Sequence, residues 1–216
     1  MSQQPETTTS TQHDHPSRRL FANVYERTSS SGGERNFMNP LRREVVGQAH
    51  GVVLEIGAGN GLNFSFYDPK AVKRVEAIEP NSTMLRYART RAEAARVPIH
   101  LTQASVEHLP FANESFDSAV VTLVFCSVDD PLRGLSEVRR VLKPNAPLLM
   151  VEHVRAKGGI LVTLQNIITP ITRLIDGNCH WNRNTESTVV QAGFRIEQRR
   201  DIRWFVMIGV VLRAVK

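Results

Sequence analysis

Three glycines and two carboxylates form the pattern with the clearest chemical meaning in this 216-residue chain. An apolar run that contains Glu55 is followed at once by Gly57, Gly59 and Gly61, spaced two residues apart. A second apolar run, further along the chain, ends in another carboxylate, Glu79. Glycines let a backbone approach a nucleotide closely, and a carboxylate after the second strand of such a unit binds ribose hydroxyls. The pattern therefore predicts a nucleotide-cofactor site.

The charge beside the glycine loop indicates which nucleotide is bound. A dinucleotide site is usually spaced G-x-G-x-x-G and places a pyrophosphate at the N-terminus of the next helix. Here the glycine spacing is one residue shorter. Glu55 would repel a pyrophosphate but attract a ligand that carries a free amine. S-adenosylmethionine carries an ammonium and a sulfonium group, so we expect it to be the cofactor.

Methyl transfer from a sulfonium is an in-line displacement, in which the protein mainly holds donor and acceptor in line. Glu55 is expected to recognise the amine, directly or through water, and Glu79 to bind both ribose hydroxyls. Alternatively, Glu55 is a carboxylate that only caps amides of the loop, and Glu79 is a solvated turn residue. Ser105, after the third strand, is placed for the adenine. The expected cofactor contacts are Glu55, Gly57, Ala58, Gly59, Asn63, Glu79, Pro80, Met84, Ala104, Ser105, Val106, Thr122, Leu123 and Val124.

The acceptor is expected at the ends of the fourth and fifth strands. Phe125, Cys126 and Ser127 leave the fourth strand at the pocket, and Trp181 can form an apolar wall, although its loop can equally be only a turn. His153 ends the fifth strand, and its pKa near neutrality suits removal of a proton from a thiol or hydroxyl. A histidine bonded to a loop carbonyl is the equal alternative. Cys126 has no evident activating base, so a role as nucleophile is not favoured.

An alternation of strands and helices positions these residues. Strands are predicted at 52–56, 74–78, 99–101, 118–123, 148–152, 195–199 and 204–214, with helices at 62–66, 82–96, 132–142 and 186–192. The pattern predicts an α/β fold with a Rossmann-like, doubly wound, seven-stranded, mostly parallel sheet, an antiparallel C-terminal strand and helices on both faces. Ligands bind such sheets at the carboxyl ends of the strands, where the candidate residues lie.

The domain organisation is expected to be simple. Residues 1–17 are polar and are expected to be a disordered tail, and residues 18–216 to form one domain. Within it, 160–183 is expected to be a helical insertion near the substrate pocket. Isoleucine and leucine recur at helical spacing in Ile160–Ile175. A helix whose apolar face covers the sheet is favoured, over a membrane contact, and that face can also wall the pocket.

Composition narrows the function classes. The formal net charge is +6, but the basic residues are scattered and lack interleaved aromatic residues, so nucleic-acid binding is not expected. Cys126 and Cys179 have neither disulfide nor metal-ligand spacing, so we expect reduced thiols and no metal. The sequence shows no signal peptide and no apolar run of spanning length, which predicts a cytoplasmic protein. The oligomeric state stays open.

Taken together, the motifs resemble those of the class I S-adenosylmethionine-dependent methyltransferases. The resemblance covers nearly everything from Phe21 onward and is closest to the ubiquinone-biosynthesis-like branch of small-molecule enzymes. It is carried by the glycine loop at 55–61, Glu79-Pro80-Asn81, Glu107-x-Leu109-Pro110-Phe111, Phe116-Asp117 and Glu137-Val138-x-Arg140-Val141-Leu142-Lys143-Pro144. Two positions depart from the pattern. Ser105 stands where an Asp frequently contacts the adenine, and Asn145-Ala146 follows Lys143-Pro144 where a pair of glycines is usual.

A narrower resemblance is to the thiol methyltransferases of animals and their bacterial relatives. It is carried by Gly61-x-Asn63-Phe64, Thr122-Leu123-Val124-x-Cys126-Ser127-Val128, Glu152-His153-Val154 and Asp176-Gly177 followed by Thr185-Glu186. The resemblance implies S-methylation of a small alkyl thiol. Two alternatives stay open: methylation of a lipid or quinone precursor through peripheral contact with a membrane, and a non-catalytic cofactor-binding module.

Overall fold

The computed structural model of the protein describes residues 16–29, 31–175, 178–204 and 207–216. Residues 1–15 of the expected tail, and Asp176 and Gly177 of the expected loop, lie outside these ranges. The strands are β1 (Gly51–Ile56), β2 (Val72–Ile78), β3 (Ile99–Thr102), β4 (Ser118–Thr122), β5 (Pro147–His153), β6 (Arg195–Trp204) and β7 (Met207–Val215). The helices are α1 (Pro16–Thr28), α2 (Gly32–Val46), α3 (Ser82–Glu93), α4 (Pro131–Val141), α5 (Ile160–Ile175) and α6 (Thr185–Gln191). The helix expected at 62–66 is a single 3₁₀ turn, Phe64–Phe66.

All seven strands join one sheet in the order β3-β2-β1-β4-β5-β7-β6. Strands β1 to β5 run parallel, whereas β7 is antiparallel to both β5 and β6. The predicted fold class is confirmed. The chain direction across the sheet reverses beside β1, so the carboxyl ends of β1 and β4 flank the crevice in which such sheets bind ligands.

Apolar residues cover both faces of the sheet, because successive strand residues point to opposite sides. Val53 and Val120 pack with α2 in one core cluster. Their neighbours Leu54 and Val121 pack with α4 and α6 in the other cluster. The central strands are therefore held from both sides, and the loops at their carboxyl ends start from fixed positions.

Several apolar residues of helix α5 lie on its outer side. Ile167 is 66% exposed and Ile171 is 57% exposed, whereas Gln165, Thr169 and Thr172 are buried. The prediction that the apolar face of this helix covers the sheet is therefore wrong for Ile160, Ile167 and Ile171. Hydrophobic periodicity shows which residues share a face of a helix, but here hydrogen bonding decides which face turns inward.

The buried polar side chains of α5 tie the helix to its neighbouring loops. The Gln165 amide accepts a hydrogen bond from the backbone of Ala156 at 2.8 Å and donates one to the carbonyl of Val154 at 3.2 Å. Thr172 donates to the carbonyl of Cys179 at 2.9 Å. The helix thus anchors the loop that carries Cys179. Among the helices of the described residues, none combines the length and apolar character that crossing a bilayer requires.

Candidate active site

A cavity of about 420 Å³ lies at the carboxyl ends of the parallel strands. It is lined by every predicted cofactor residue except Glu55, and by every predicted acceptor-side residue except Phe125 and Trp181. The predicted residues on its wall are Gly57, Ala58, Gly59, Asn63, Glu79, Pro80, Met84, Ala104, Ser105, Val106, Thr122, Leu123, Val124, Cys126, Ser127 and His153. The structure therefore brings together residues spread over about a hundred positions of sequence, as expected for strand ends of one parallel sheet.

The three exceptions have separate physical reasons. Glu55 is 1% exposed and lies behind the wall, in contact with Asn63. Phe125 is fully buried in the core cluster beneath the loop, so its side chain does not face an acceptor. Trp181 packs against the ring of His153, with 6.2 Å between ring centroids, and lies off the cavity wall. The structure therefore does not place these three side chains where they would touch a bound cofactor or acceptor.

The glycine loop and the end of β2 are locked to each other. Gly57 has a φ of 62°, and a Cβ there would lie 2.5 Å from the side chain of Val124. The Gly59 amide donates to one oxygen of Glu79 at 3.0 Å, and the Asn81 amide donates to the other at 2.9 Å. Because a carboxylate oxygen accepts more than one hydrogen bond, Glu79 can receive ribose hydroxyls while it holds the loop.

Asn63 offers a buried acceptor to the cavity. Its amide nitrogen donates to Glu55 at 3.0 Å and to the Thr122 hydroxyl at 3.1 Å, which orients the amide oxygen away from the carboxylate. That oxygen is buried and accepts no hydrogen bond from the described part of the chain. A buried acceptor without a donor is costly, and a charged donor on a ligand removes the cost. The ammonium group of S-adenosylmethionine is such a donor, so these residues fit the cofactor.

Glu55 is the carboxylate behind this acceptor. It receives hydrogen bonds from Tyr67 at 2.7 Å and from Asn63 at 3.0 Å. Burial raises its pKa from 4.5 to about 7, although both hydrogen bonds act in the opposite direction. Glu55 therefore exchanges its proton near neutral pH. A cation bound at Asn63 would favour the ionised form of the carboxyl.

The raised pKa of Glu55 makes folding stability depend on pH. A carboxyl whose folded pKa lies above its unfolded value stabilises the fold below pH 4.5, and this stability is lost as the pH rises through about 7. We expect a loss on the order of 3 kcal/mol for this group across that window. Glu55→Gln should remove this component of the pH slope, measured by urea unfolding from pH 4.5 to 8. Equal slopes in the two proteins would contradict the assignment.

Glu152, at the end of β5, holds the loop after β4 in place. Its buried carboxylate accepts hydrogen bonds from the amides of Val124 and Phe125, both at 2.8 Å, and from the amide of Cys126 at 3.3 Å. From the other side, Arg183 donates to the carbonyl of Phe125 at 2.7 Å. The sequence did not indicate that Glu152 and Arg183 hold this loop, because both residues are distant from it along the chain. Cys126 is thereby fixed at the cavity wall.

Two thiols and an imidazole meet at this end of the cavity. The Sγ atom of Cys179 lies 3.5 Å from Nδ1 of His153, and one ligand atom each of Cys126, His153 and Cys179 lies within 4.8 Å of the others. Contact with Cys179, followed by burial, raises the pKa of the Cys126 thiol well above its ordinary value. This direction argues against Cys126 as a thiolate nucleophile.

Several wall residues were not predicted from the sequence. Phe21 and Tyr25 of α1 reach the cavity with their rings 5.7 Å apart, and Asn178 and Cys179 reach it from the loop after α5. Phe21 and Tyr25 are four residues apart, so they share one face of α1. No local motif indicated which of its residues would face a ligand.

Comparison with known proteins agrees with this geometry. The family model described as "Methyltransferase domain" matches residues 54–150. Thiol S-methyltransferase TMT1B of Rattus norvegicus is 34% identical over 81% of this chain and 72% of that protein. The ubiquinone/menaquinone biosynthesis C-methyltransferase UbiE of Syntrophotalea carbinolica is 27% identical over 83% of each chain.

A solved structure shows the same fold. It is that of Burkholderia thailandensis 1,6-didemethyltoxoflavin-N1-methyltransferase with bound S-adenosylhomocysteine, with a TM-score of 0.68 and 14% identity over 93% of this chain and 87% of that one. The resemblance stated from the motifs is confirmed. The chain belongs to the S-adenosylmethionine-dependent methyltransferases, and it is an enzyme that uses this cofactor to methylate a small molecule.

Proposed function

We propose that the enzyme methylates the sulfur atom of a small thiol held at the Cys126–His153–Cys179 end of the cavity. The observation that carries this proposal is the chemistry of that end, where polarisable sulfur atoms and an imidazole line the wall. A soft sulfur acceptor suits such a surface. The 34% identity to a protein named thiol S-methyltransferase supports the same acceptor.

The cofactor would occupy the rest of the cavity. We propose that Glu79 accepts the ribose hydroxyls and that the Asn63 oxygen accepts the ammonium, with Glu55 acting through Asn63. The adenine would lie near Met84 and Ser105, whose hydroxyl already donates to Glu107. When bound, S-adenosylmethionine supplies an electrophilic methyl group, and the chain orients the acceptor toward it and excludes water.

His153 is proposed to promote loss of the thiol proton. We expect His153→Ala to lower turnover with an alkanethiol about 100-fold at pH 7, because a positioned proton acceptor contributes about 100- to 10,000-fold. Its affinity for S-adenosylmethionine should stay close to that of the unmodified enzyme. The defect should shrink as the pH rises toward the pKa of the free alkanethiol, where the thiol ionises by itself. Turnover that is unchanged at every pH would restrict His153 to a structural role.

A second candidate is methylation of an acceptor that resides in a membrane surface. The specific observation is the exposed apolar face of α5, where Ile160, Ile167 and Ile171 face outward. Arg155 and Lys157 are exposed just before this helix, so the face has a basic border that suits an anionic bilayer. The similarity to a quinone-biosynthesis enzyme agrees with this candidate.

Liposome binding tests the membrane candidate. We expect Ile167→Asp combined with Ile171→Asp to abolish co-sedimentation with vesicles that contain anionic lipid, because each change places a charge on the inserted face. Asn166→Asp is the matched control, since Asn166 is also exposed on α5 but points away from the row formed by Ile167 and Ile171, and an Asp oxygen can still accept the hydrogen bond from Asn182. Equal co-sedimentation of both variants, or no binding by the unmodified protein, would contradict the membrane candidate and leave the thiol proposal intact.

A further inference from the structure

We infer that Cys126, His153 and Cys179 form a three-ligand site for Zn²⁺ whose fourth position is taken by the acceptor thiolate. The inference rests on the proposed function only for the identity of that fourth ligand. Two thiolates and one imidazole are a donor set that binds zinc in enzymes, and catalytic zinc sites keep one position open. Neither a disulfide nor a metal site is indicated by the sequence spacing of these residues, because they come together only in the fold.

The distances fit a tetrahedral ion. Zinc binds thiolate sulfur at about 2.3 Å and imidazole nitrogen at about 2.0–2.1 Å, so tetrahedral sulfur and nitrogen ligands lie about 3.5 Å apart. The observed separation of Cys179 Sγ and His153 Nδ1 is 3.5 Å. No two of the three ligand atoms are more than 4.8 Å apart, which is within about 1 Å of the spacing of tetrahedral ligands.

The site is held in place by the surrounding backbone. The Glu152 carboxylate fixes the Cys126 amide, and the His180 amide donates to the Cys126 carbonyl at 2.8 Å. Thr172 fixes the Cys179 carbonyl. Such supporting contacts orient ligands before the metal arrives. The site faces the cavity on one side, so an acceptor can reach the fourth position.

The local charges balance when the ion is present. Arg183 lies beside both thiols and would oppose a cation there if the thiols stayed neutral. With both thiols deprotonated, two thiolates and the Glu152 carboxylate carry three negative charges, against three positive charges on the zinc ion and Arg183. The buried site is then neutral overall before the acceptor binds, which limits the cost of burying its charges. The acceptor thiolate adds one negative charge, which the sulfonium of the cofactor offsets.

The chemistry conserves atoms and electrons. The acceptor thiol binds the zinc ion through sulfur and loses its proton to solvent. Its sulfur lone pair then forms a bond to the methyl carbon of S-adenosylmethionine, while the carbon–sulfonium bond breaks and its electron pair stays on the cofactor sulfur. The products are a neutral methyl thioether, a weak zinc ligand that dissociates, S-adenosylhomocysteine and one proton. In the zinc-bound enzyme His153 is a ligand, and coordination of the acceptor thiol lowers its pKa in place of the proton acceptance proposed for His153 above; loss of His153 then lowers turnover by removing a ligand.

Cobalt substitution tests the site without relying on activity. The reduced, metal-stripped protein is titrated with Co²⁺, and we expect one equivalent to produce the absorption of a tetrahedral cobalt–thiolate centre, which Zn²⁺ then displaces. Cys126→Ser and Cys179→Ser should each lose this absorption while retaining S-adenosylmethionine binding, which shows that they fold. His100→Gln, which removes an exposed histidine on β3, is the control and should titrate normally. Adding an alkanethiol should shift the cobalt spectrum.

Three results would overturn the inference. The first is the absence of cobalt–thiolate absorption in the reduced protein, and the second is a Cys126–Cys179 disulfide in the native protein by mass spectrometry. The third is full thiol methylation by the metal-stripped enzyme, which would refute the role of zinc while the proposed function stands. If cobalt binds but no thiol shifts its spectrum and no thiol is methylated, the fourth-ligand assignment fails together with the proposed function.

Discussion

Glu79→Ala is expected to weaken S-adenosylmethionine binding by about 1–3 kcal/mol, or roughly 5- to 150-fold in Kd. The change leaves the ribose hydroxyls without a buried acceptor. It also releases the amides of Gly59 and Asn81, which the carboxylate now holds at 3.0 and 2.9 Å. The glycine loop would then lose its fixed position relative to β2. Isothermal titration of the two proteins measures the difference directly.

Glu76→Ala is the matched control for this change. Glu76 lies in the same strand, pairs with Arg74 and His100, and does not line the cavity. Its removal should leave the cofactor affinity within experimental error. Unchanged affinity in the Glu79 variant, or an equal loss in both variants, would show that the ribose assignment is wrong.

Glu152→Ala is expected to have the largest effect on stability. Three backbone amides in the turn after β4 share this one buried carboxylate, and each amide left unpaired costs about 1–3 kcal/mol. We expect a loss of at least about 3 kcal/mol, or about 6–12 °C in Tm for a chain of this size. Thermal and urea unfolding measure it. Cys126 should also become accessible to thiol reagents, because its amide is held by the same carboxylate.

Glu197→Ala is the control for the stability measurement. Glu197 forms surface ion pairs with Arg195 and Arg213, and such pairs contribute about 0–1 kcal/mol. A loss in the Glu152 variant as small as in this control would mean that the turn does not depend on the carboxylate.

Much of the fold was predictable, because its signals are local. The apolar runs and the glycine loop identified the strands and their carboxyl ends, and parallel pairing then places those ends at one edge. The side chain of Asn81 caps α3 and accepts hydrogen bonds from the amides of Thr83 and Met84, and asparagine is a residue type that is common at this position. Helix α5 was predicted at its observed bounds, but the orientation of its exposed isoleucines was not, because periodicity gives the residues that share a face, whereas tertiary hydrogen bonds of Gln165 and Thr172 set which face is buried.

The part of the site that lies at strand ends was also predictable from local patterns. Residues that follow a strand end, such as Gly57, Glu79 and His153, reach the cavity by their place in the sheet. Glu55 lies one residue before the end of β1, and its side chain points into the protein. There the hydroxyl of Tyr67 donates a hydrogen bond to it. Cys179 arrives only because α5 anchors its loop, a long-range contact that no local pattern encodes.

The central claim is that a thiol accepts the methyl group, and a matched competition tests it most directly. The enzyme is given deuteromethyl-labelled S-adenosylmethionine with equal concentrations of hexane-1-thiol, hexan-1-ol and hexylamine, which share a chain length and differ in the acceptor atom. Mass spectrometry of the products identifies the labelled species. We predict labelled methyl hexyl sulfide together with S-adenosylhomocysteine. Label in the ether or the amine alone would contradict thiol methylation, as would cofactor binding with no label in the sulfide.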